Sequence, residues 1–285
     1  GSFCRLHLGY LRSSGLSSAT LLRMFILSAA GPVGSEAQLR EKLSALLAAE
    51  LPIPLEGRAA AVARWEAEGF PVRHHSQAFR AAYHPAYRVI RQEFSPLLPL
   101  LAAIDRAMAR KPRILVAIEG GSASGKTTLA ALLGRIYDCQ TFHMDDFFLR
   151  PEQRTAARLA EPGGNVDYER FQAEVLKQLE NKDGFSYQLF SCATFSLSDF
   201  VAVSWNRLNI VEGSYSQNPY FGDSYDLRLF CRIGTEEQLQ RILRRNGPEK
   251  LQMFRERWIP MENKYFEAFE IEKKSMVIDC TGFSR

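Results

Sequence analysis

The stretch Arg113-Ile114-Leu115-Val116-Ala117-Ile118-Glu119-Gly120-Gly121-Ser122-Ala123-Ser124-Gly125-Lys126-Thr127-Thr128 decides the fold. Residues 114–118 form a continuous apolar run, as expected of a strand buried on both faces of a parallel sheet. After Glu119, residues 120–127 have the spacing G-x-x-x-x-G-K-T. Gly120 and Gly125 permit backbone angles that let successive N–H groups of Gly121, Ser122, Ala123 and Ser124 converge on phosphate oxygens. A helical pattern over 126–136 adds the positive end of its dipole. Lys126 is the residue type needed to reach β- and γ-phosphates, and the Thr127 hydroxyl the type needed to ligate Mg²⁺, with Thr128 leading on into the helix. Background residue frequencies produce this spacing in about one such chain in a hundred. Its place between a strand and a helix makes chance a poor explanation.

Outward from this loop the texture alternates. Further strands are expected at 141–144, 208–211, 227–230 and 276–278, and helices at 168–179, 236–245 and 248–270. Strands alternating with helices imply an α/β domain with a doubly wound parallel sheet. Ligands in such sheets bind beyond the carboxyl ends of the strands. Polar residues follow several of those ends. Asp145 and Asp146 close the second strand, where a kinase acting on an alcohol needs a carboxylate to orient the hydroxyl and accept its proton. On spacing alone, they fit equally well the cap of a following turn. Glu212 ends the run Ile210-Val211 and is favoured over Asp279 as the Mg²⁺-side carboxylate, because Asp279 belongs to a peripheral strand near the chain end. Arg241, Arg244 and Arg245 lie on a helix that stops at Asn246-Gly247-Pro248. Arginines there can neutralise a transferring phosphoryl group, or can simply form a solvated face.

The chain has 285 residues, 46% of them hydrophobic, and a formal charge of +4. It can bury a substantial core, and without a dense Lys/Arg block it offers no nucleic-acid face. No apolar run approaches the roughly 20 residues that cross a bilayer, so no membrane partner is expected. Five scattered cysteines with no C-x-x-C pair argue against a disulfide framework or zinc site and for the cytoplasm. Residues 1–34 contain no acidic residue, and read either as a targeting leader or as non-native sequence preceding Met24. Residues 35–110 are expected to be a mainly helical N-terminal extension of unassigned role. It opens with the capping box Ser35-x-x-Gln38 and carries helices over 39–47, 58–68 and 96–110. His74, His75 and His84 lack nearby acidic or cysteine partners and read as packing or surface residues. Residues 111–285 form the domain with the phosphate loop.

The residues also resemble a known family. The loop 120–128 is similar to the phosphate loop of uridine kinases, within a group that includes phosphoribulokinase and bacterial pantothenate kinase. His143 to Phe148 resembles their Asp-x-Phe-Tyr element, with Phe148 in place of Tyr. Asn165-Val166-Asp167-Tyr168, Glu212-Gly213 and the three arginines also match, in the family's order. Glu212-Gly213-Ser214-Tyr215-Ser216 and Trp258-Ile259-Pro260-Met261-Glu262 resemble bacterial uridine kinase-like proteins most. The resemblance implies a P-loop NTPase-type fold, ATP or GTP with Mg²⁺, and transfer of the γ-phosphoryl group to the 5′-hydroxyl of uridine or cytidine. By the same resemblance Asp145 is the base, Asp167 grips the sugar hydroxyls, and Arg241, Arg244 and Arg245 form the lid. Residues 185–197 lack the family's Tyr/His pattern, leaving Tyr187 as the candidate to stack on a base. Pantothenate or a phosphorylated sugar as acceptor, and a nucleotide-dependent switch using residues 1–110 as its interaction module, remain alternatives. A homo-oligomer is also left open.

Overall fold

The computed structural model describes residues 2–31 and 34–281. The remainder of the expected leader (Gly1, Pro32, Val33) and residues 282–285 of the loop-bearing domain lie outside the described residues. The chain opens with β1 (Phe3–His7), α1 (Gly9–Ser14) and α2 (Ser18–Ala29). Then come α3 (Glu36–Ala48), α4 (Leu55–Ala67), α5 (Gln77–Tyr83), β2 (Tyr87–Arg91) and α6 (Leu98–Arg110). The next elements are β3 (Ile114–Gly120), α7 (Lys126–Ile136), β4 (Cys139–His143), α8 (Ala156–Ala160) and α9 (Tyr168–Glu174). The hairpin β5 (Phe185–Ser191) and β6 (Ser196–Val203) precedes β7 (Leu208–Glu212) and β8 (Leu227–Arg232). The described chain ends with α10 (Thr235–Met253), α11 (Ile259–Phe269) and β9 (Met276–Asp279).

Five strands form a parallel sheet in the order β4-β7-β3-β8-β9. All seven residues of β3 are buried, which is why its sequence reads as an unbroken apolar run. It pairs with β7 through Ile114 and Leu208 on one side, and with β8 through Val116 and Leu227 on the other. From β3 the chain moves out to β4, returns through β7, and crosses to β8 and β9. Loops leaving β3 and its neighbours therefore diverge and open a crevice at their carboxyl ends. This is the doubly wound P-loop NTPase-type α/β fold. Side chains alternate across each strand, so the sheet has two cores. Ile114, Val116 and Ile118 join Leu129 and Leu133 of α7 on one face; Leu115 and Val211 join Phe142, Phe147 and Phe171 on the other.

Helix α7 occupies the expected span, and β3, β7, β8 and β9 start where expected. The strand expected at 141–144 ends one residue early, because Met144 opens a 3₁₀ turn that carries both aspartates. The helix expected over 168–179 ends at Glu174 and tightens into a 3₁₀ turn at Leu176–Gln178.

Residues 3–29 are packed into the first core rather than detached from it. Leu6, Leu16, Leu21 and Met24 are buried against the same cluster as Ile104 and Leu133. Asp105 of α6 fixes them. Its carboxylate accepts the Ser17 N–H at 2.7 Å, the Thr20 hydroxyl at 2.8 Å and the Tyr137 hydroxyl at 3.2 Å. Strands β1 and β2 pair antiparallel beside them. By contrast, α3, α4 and α5 bury no residue. The Ser35 capping box forms as read. His75 stacks on Phe79 and bonds the Tyr87 hydroxyl, a packing role. No described helix is long and apolar enough to cross a membrane.

Candidate active site

The phosphate loop turns at two glycines with positive φ. At Gly120 (φ 148°) a Cβ would lie 2.6 Å from the Cys231 carbonyl oxygen, so only glycine lets β3 turn so close to β8. The carbonyls of Gly120 and Gly121 accept the Lys126 ammonium at 2.8 and 3.0 Å, behind the loop surface. Ser122, Ala123, Ser124, Gly125, Lys126, Thr127 and Thr128 line a cavity of about 720 Å³ at the carboxyl ends of the strands.

Strand β7 ends in Glu212, whose carboxylate accepts the Thr127 hydroxyl at 3.1 and 3.3 Å. A hydroxyl and a carboxylate side by side at a phosphate loop are hard oxygen donors suited to Mg²⁺. That ion keeps several waters and substrate oxygens rather than filling a protein cage. No cluster of three or more His, Cys, Asp or Glu side chains that could hold a metal occurs among the described residues. The residues present fit the ion. Asp279, the rival carboxylate, instead accepts the Thr281 N–H at 2.9 Å at the exposed end of β9. His143, which the sequence did not single out, places Nδ1 2.6 Å from Glu212 Oε1, and this hydrogen bond raises its pKa above the ordinary histidine range.

Asp145 faces the same cavity from the turn after β4. Desolvation by the cavity walls pushes its carboxyl above the usual range, with Lys126 pulling it back. Asp146 turns away: its carboxylate accepts the Tyr187 hydroxyl at 3.3 Å. Arg241, Arg244 and Arg245 all reach the cavity from α10. Arg241 is already engaged, donating to the carbonyls of Cys280 and Thr281 at 3.0 and 2.9 Å and pairing with Glu237 at 2.8 Å. It therefore braces the loop after β9. Gly247 (φ 81°, ψ 172°) breaks α10 just beyond Arg245. A π-turn at Phe254–Trp258 then brings both of those aromatic residues to the cavity wall.

Two residues assigned from the sequence lie elsewhere. Asp167 is 2% exposed and spends its carboxylate inside the protein, capping α9 through the Arg170 N–H at 3.1 Å and accepting Gln153 Nε2 at 2.9 Å. Asn165, two residues earlier, faces the cavity instead. Strand alternation would give both residues one face; the chain instead turns into α9 at Asp167, whose N–H bonds the Phe147 carbonyl at 2.7 Å and whose carboxylate is held inside by the cap on Arg170. Tyr187 is buried between Phe142 and Phe147 with its hydroxyl on Asp146, and cannot stack on a ligand. Phe148, Tyr215, Phe254 and Trp258 supply the aromatic walls.

Two buried carboxylates were also missed. Glu262 of α11 borders the cavity and accepts the Ser122 N–H at 2.9 Å, so that amide, expected from the sequence to face phosphate, is engaged by a carboxylate. Glu119, one residue before the loop, is fully buried. It accepts the N–H groups of Gly120, Tyr215 and Gln217 at 3.1, 3.0 and 3.1 Å, and the Tyr265 hydroxyl at 3.2 Å. Burial pushes it up to about 7 against the pull of Lys126 and those amides. An acidic residue inside an apolar strand was the available signal.

No family model matches the chain, and no curated protein matches its sequence. Among solved structures, a possible uridine kinase from Bacillus stearothermophilus is similar at a TM-score of 0.47 and 22% identity, over 63% of this chain and 99% of that one. A deoxyadenosine kinase from M. mycoides with bound dATP is similar at a TM-score of 0.32 and 14% identity, over 58% and 90% of the two chains.

Proposed function

We propose that this chain is a Mg²⁺- and ATP- or GTP-dependent kinase for a small alcohol, and that the alcohol is the 5′-hydroxyl of a pyrimidine nucleoside such as uridine or cytidine. The observation that carries the reading is the presence of Asp145 in the same cavity as Lys126, Thr127 and Glu212. A nucleotide switch needs the last three but has no use for a carboxylate facing the phosphate loop across the cavity. In this reading the loop amides and Lys126 hold the β- and γ-phosphates. Thr127 and Glu212 hold Mg²⁺, which when bound neutralises phosphate charge. Asp145 orients the acceptor hydroxyl and takes its proton, and Arg244 and Arg245 face the charge that develops on the transferring group. Positioning and electrostatics carry nearly all the rate enhancement in such transfers.

The lining also bears on the acceptor. Apart from Lys126 and the arginines of α10, no cation lines the cavity among the described residues. The rest of the lining includes Asn165, Glu262 and the rings of Phe148, Tyr215, Phe254 and Trp258. Such a wall suits an uncharged, hydroxyl-bearing ring compound better than a phosphorylated sugar or a carboxylate such as pantothenate, which would need a paired cation. The deciding experiment is ADP release from MgATP with nucleosides, pantothenate and sugar phosphates as acceptors. Strong stimulation by uridine or cytidine is expected. Tight ATP binding with no stimulation by any acceptor would refute the reading in favour of a nucleotide switch.

A further inference from the structure

The stretch Trp258-Ile259-Pro260-Met261-Glu262 carries a carboxylate that the reaction as described leaves unused. Glu262 lies in the first turn of α11, is 4% exposed and borders the cavity. Its Oε2 accepts the Ser122 N–H at 2.9 Å, and its Oε1 accepts the Ser122 hydroxyl at 2.7 Å and the Ser214 hydroxyl at 2.8 Å. Three donors from two separate loops thus converge on one side chain from a third element. The Ser214 oxygen is also 3.4 Å from Lys126 Nζ, so a path of polar contacts runs from α11 through Ser214 to the lysine.

A negative charge beside a phosphate loop opposes the binding of phosphate anions. Glu262 therefore does not serve nucleotide affinity. What it supplies is order: it fixes the Ser122 amide and hydroxyl at the mouth of the loop, and it directs the Ser214 hydroxyl so that its oxygen lone pairs face the lysine. We infer that Glu262 is a positioning residue for phosphoryl transfer, acting through Ser214 on Lys126 and through Ser122 on the loop. The inference rests on the kinase reading above.

A side chain that merely holds α11 in place would, when removed, weaken nucleotide binding and turnover together. A positioning residue predicts a split, because removing its charge relieves repulsion on the phosphates while disordering the lysine. The test uses the full chain with MgATP and, as acceptor, whichever nucleoside or other alcohol most raises ADP release by the wild type. Ser214→Ala leaves α11 untouched and is expected to lower kcat about five- to tenfold. Glu262→Gln, which leaves one oxygen for three donors, is expected to lower it about ten- to a hundredfold. The Kd for MgATP should weaken by less than about threefold in either variant. The double variant should be within about twofold of Glu262→Gln alone, since the two side chains act in series.

Full kcat in both single variants, or a loss of MgATP affinity that matches the loss of kcat, overturns the inference and leaves the kinase reading standing. If Glu262→Gln does not fold, Ser214→Ala decides alone, and an undiminished kcat there overturns it. If no alcohol raises ADP release by the wild type, the kinase reading fails first and this role falls with it.

Discussion

Replacing Glu119 with Gln tests the electrostatics beneath the phosphate loop. The carboxyl is fully buried and titrates at about 7 rather than at its ordinary 4.5, chiefly because burial penalises the charged form. The folded protein therefore binds this proton more tightly than the unfolded chain does. The resulting stability is fully present below about pH 4.5 and is lost as pH rises through about 7. A shift of roughly 2.5 pH units, at about 1.36 kcal/mol per unit, corresponds to about 3 kcal/mol. No discount for solvent screening applies to a group with no exposure. His143, Asp145 and Asp146 also have raised pKa values. The wild-type profile alone would mix their effects with that of Glu119, and the difference between wild type and variant removes them. Urea unfolding of both proteins at intervals from pH 4.5 to 8.5 supplies that difference. The wild type is expected to lose about 3 kcal/mol relative to Glu119→Gln across the range. A difference that stays flat refutes the assignment. A difference that moves the other way means that the donors from Gly120, Tyr215, Gln217 and Tyr265 outweigh burial and hold Glu119 charged.

Three further outcomes are expected. Asp145→Asn should keep MgATP affinity while kcat falls by about 10² to 10⁴, as for loss of a general base. In the wild type the rate should rise with pH through a carboxyl pKa above the ordinary range, because the base acts when deprotonated; that acid limb should vanish in the variant, and unchanged turnover would remove Asp145 from the role. Glu212→Gln should raise the Mg²⁺ concentration needed for half-maximal ADP release at least tenfold, and an unchanged Mg²⁺ titration would take Glu212 out of the metal site. Met24 of α2 is fully buried, so Met24→Ala should cost about 2–5 kcal/mol. At about 2.1 cal/mol/K of unfolding entropy per residue, that is a fall in Tm of roughly 3–8 °C by calorimetry. An unmoved Tm would show that α2 does not share the cooperative core.

Local chemistry made part of this protein legible in its sequence. The phosphate loop is a backbone device: glycines for the turns, a lysine and a hydroxyl at set offsets. All of that lies within eight consecutive residues. The strand before it is apolar throughout because both of its faces are buried, and that too is a local signature. Asp145 and Glu212 follow strand ends, and the general rule for doubly wound sheets brings strand ends to one crevice.

Only the tertiary structure decided which side chains face that crevice. Asp167 and Asn165 are two residues apart, yet the turn into α9 and the donors from Arg170 and Gln153 hold the first inside the protein while the second lines the cavity. Tyr187 is an aromatic residue in the region expected to read a base; pairing of its hairpin and packing against Phe147 bury it. Glu119 and Glu262 acquire their roles from partners about 100 to 140 positions away, such as Tyr215 for the first and Ser122 for the second. The N-terminal residues lack acids and read either as a leader or as non-native sequence; that Leu6, Leu21 and Met24 share a core with Leu133 of α7 is visible only in the structure. Sequence periodicity reports which residues are apolar along one element. It carries no information about which distant element will cover them, because that depends on long-range packing rather than on neighbours in the chain.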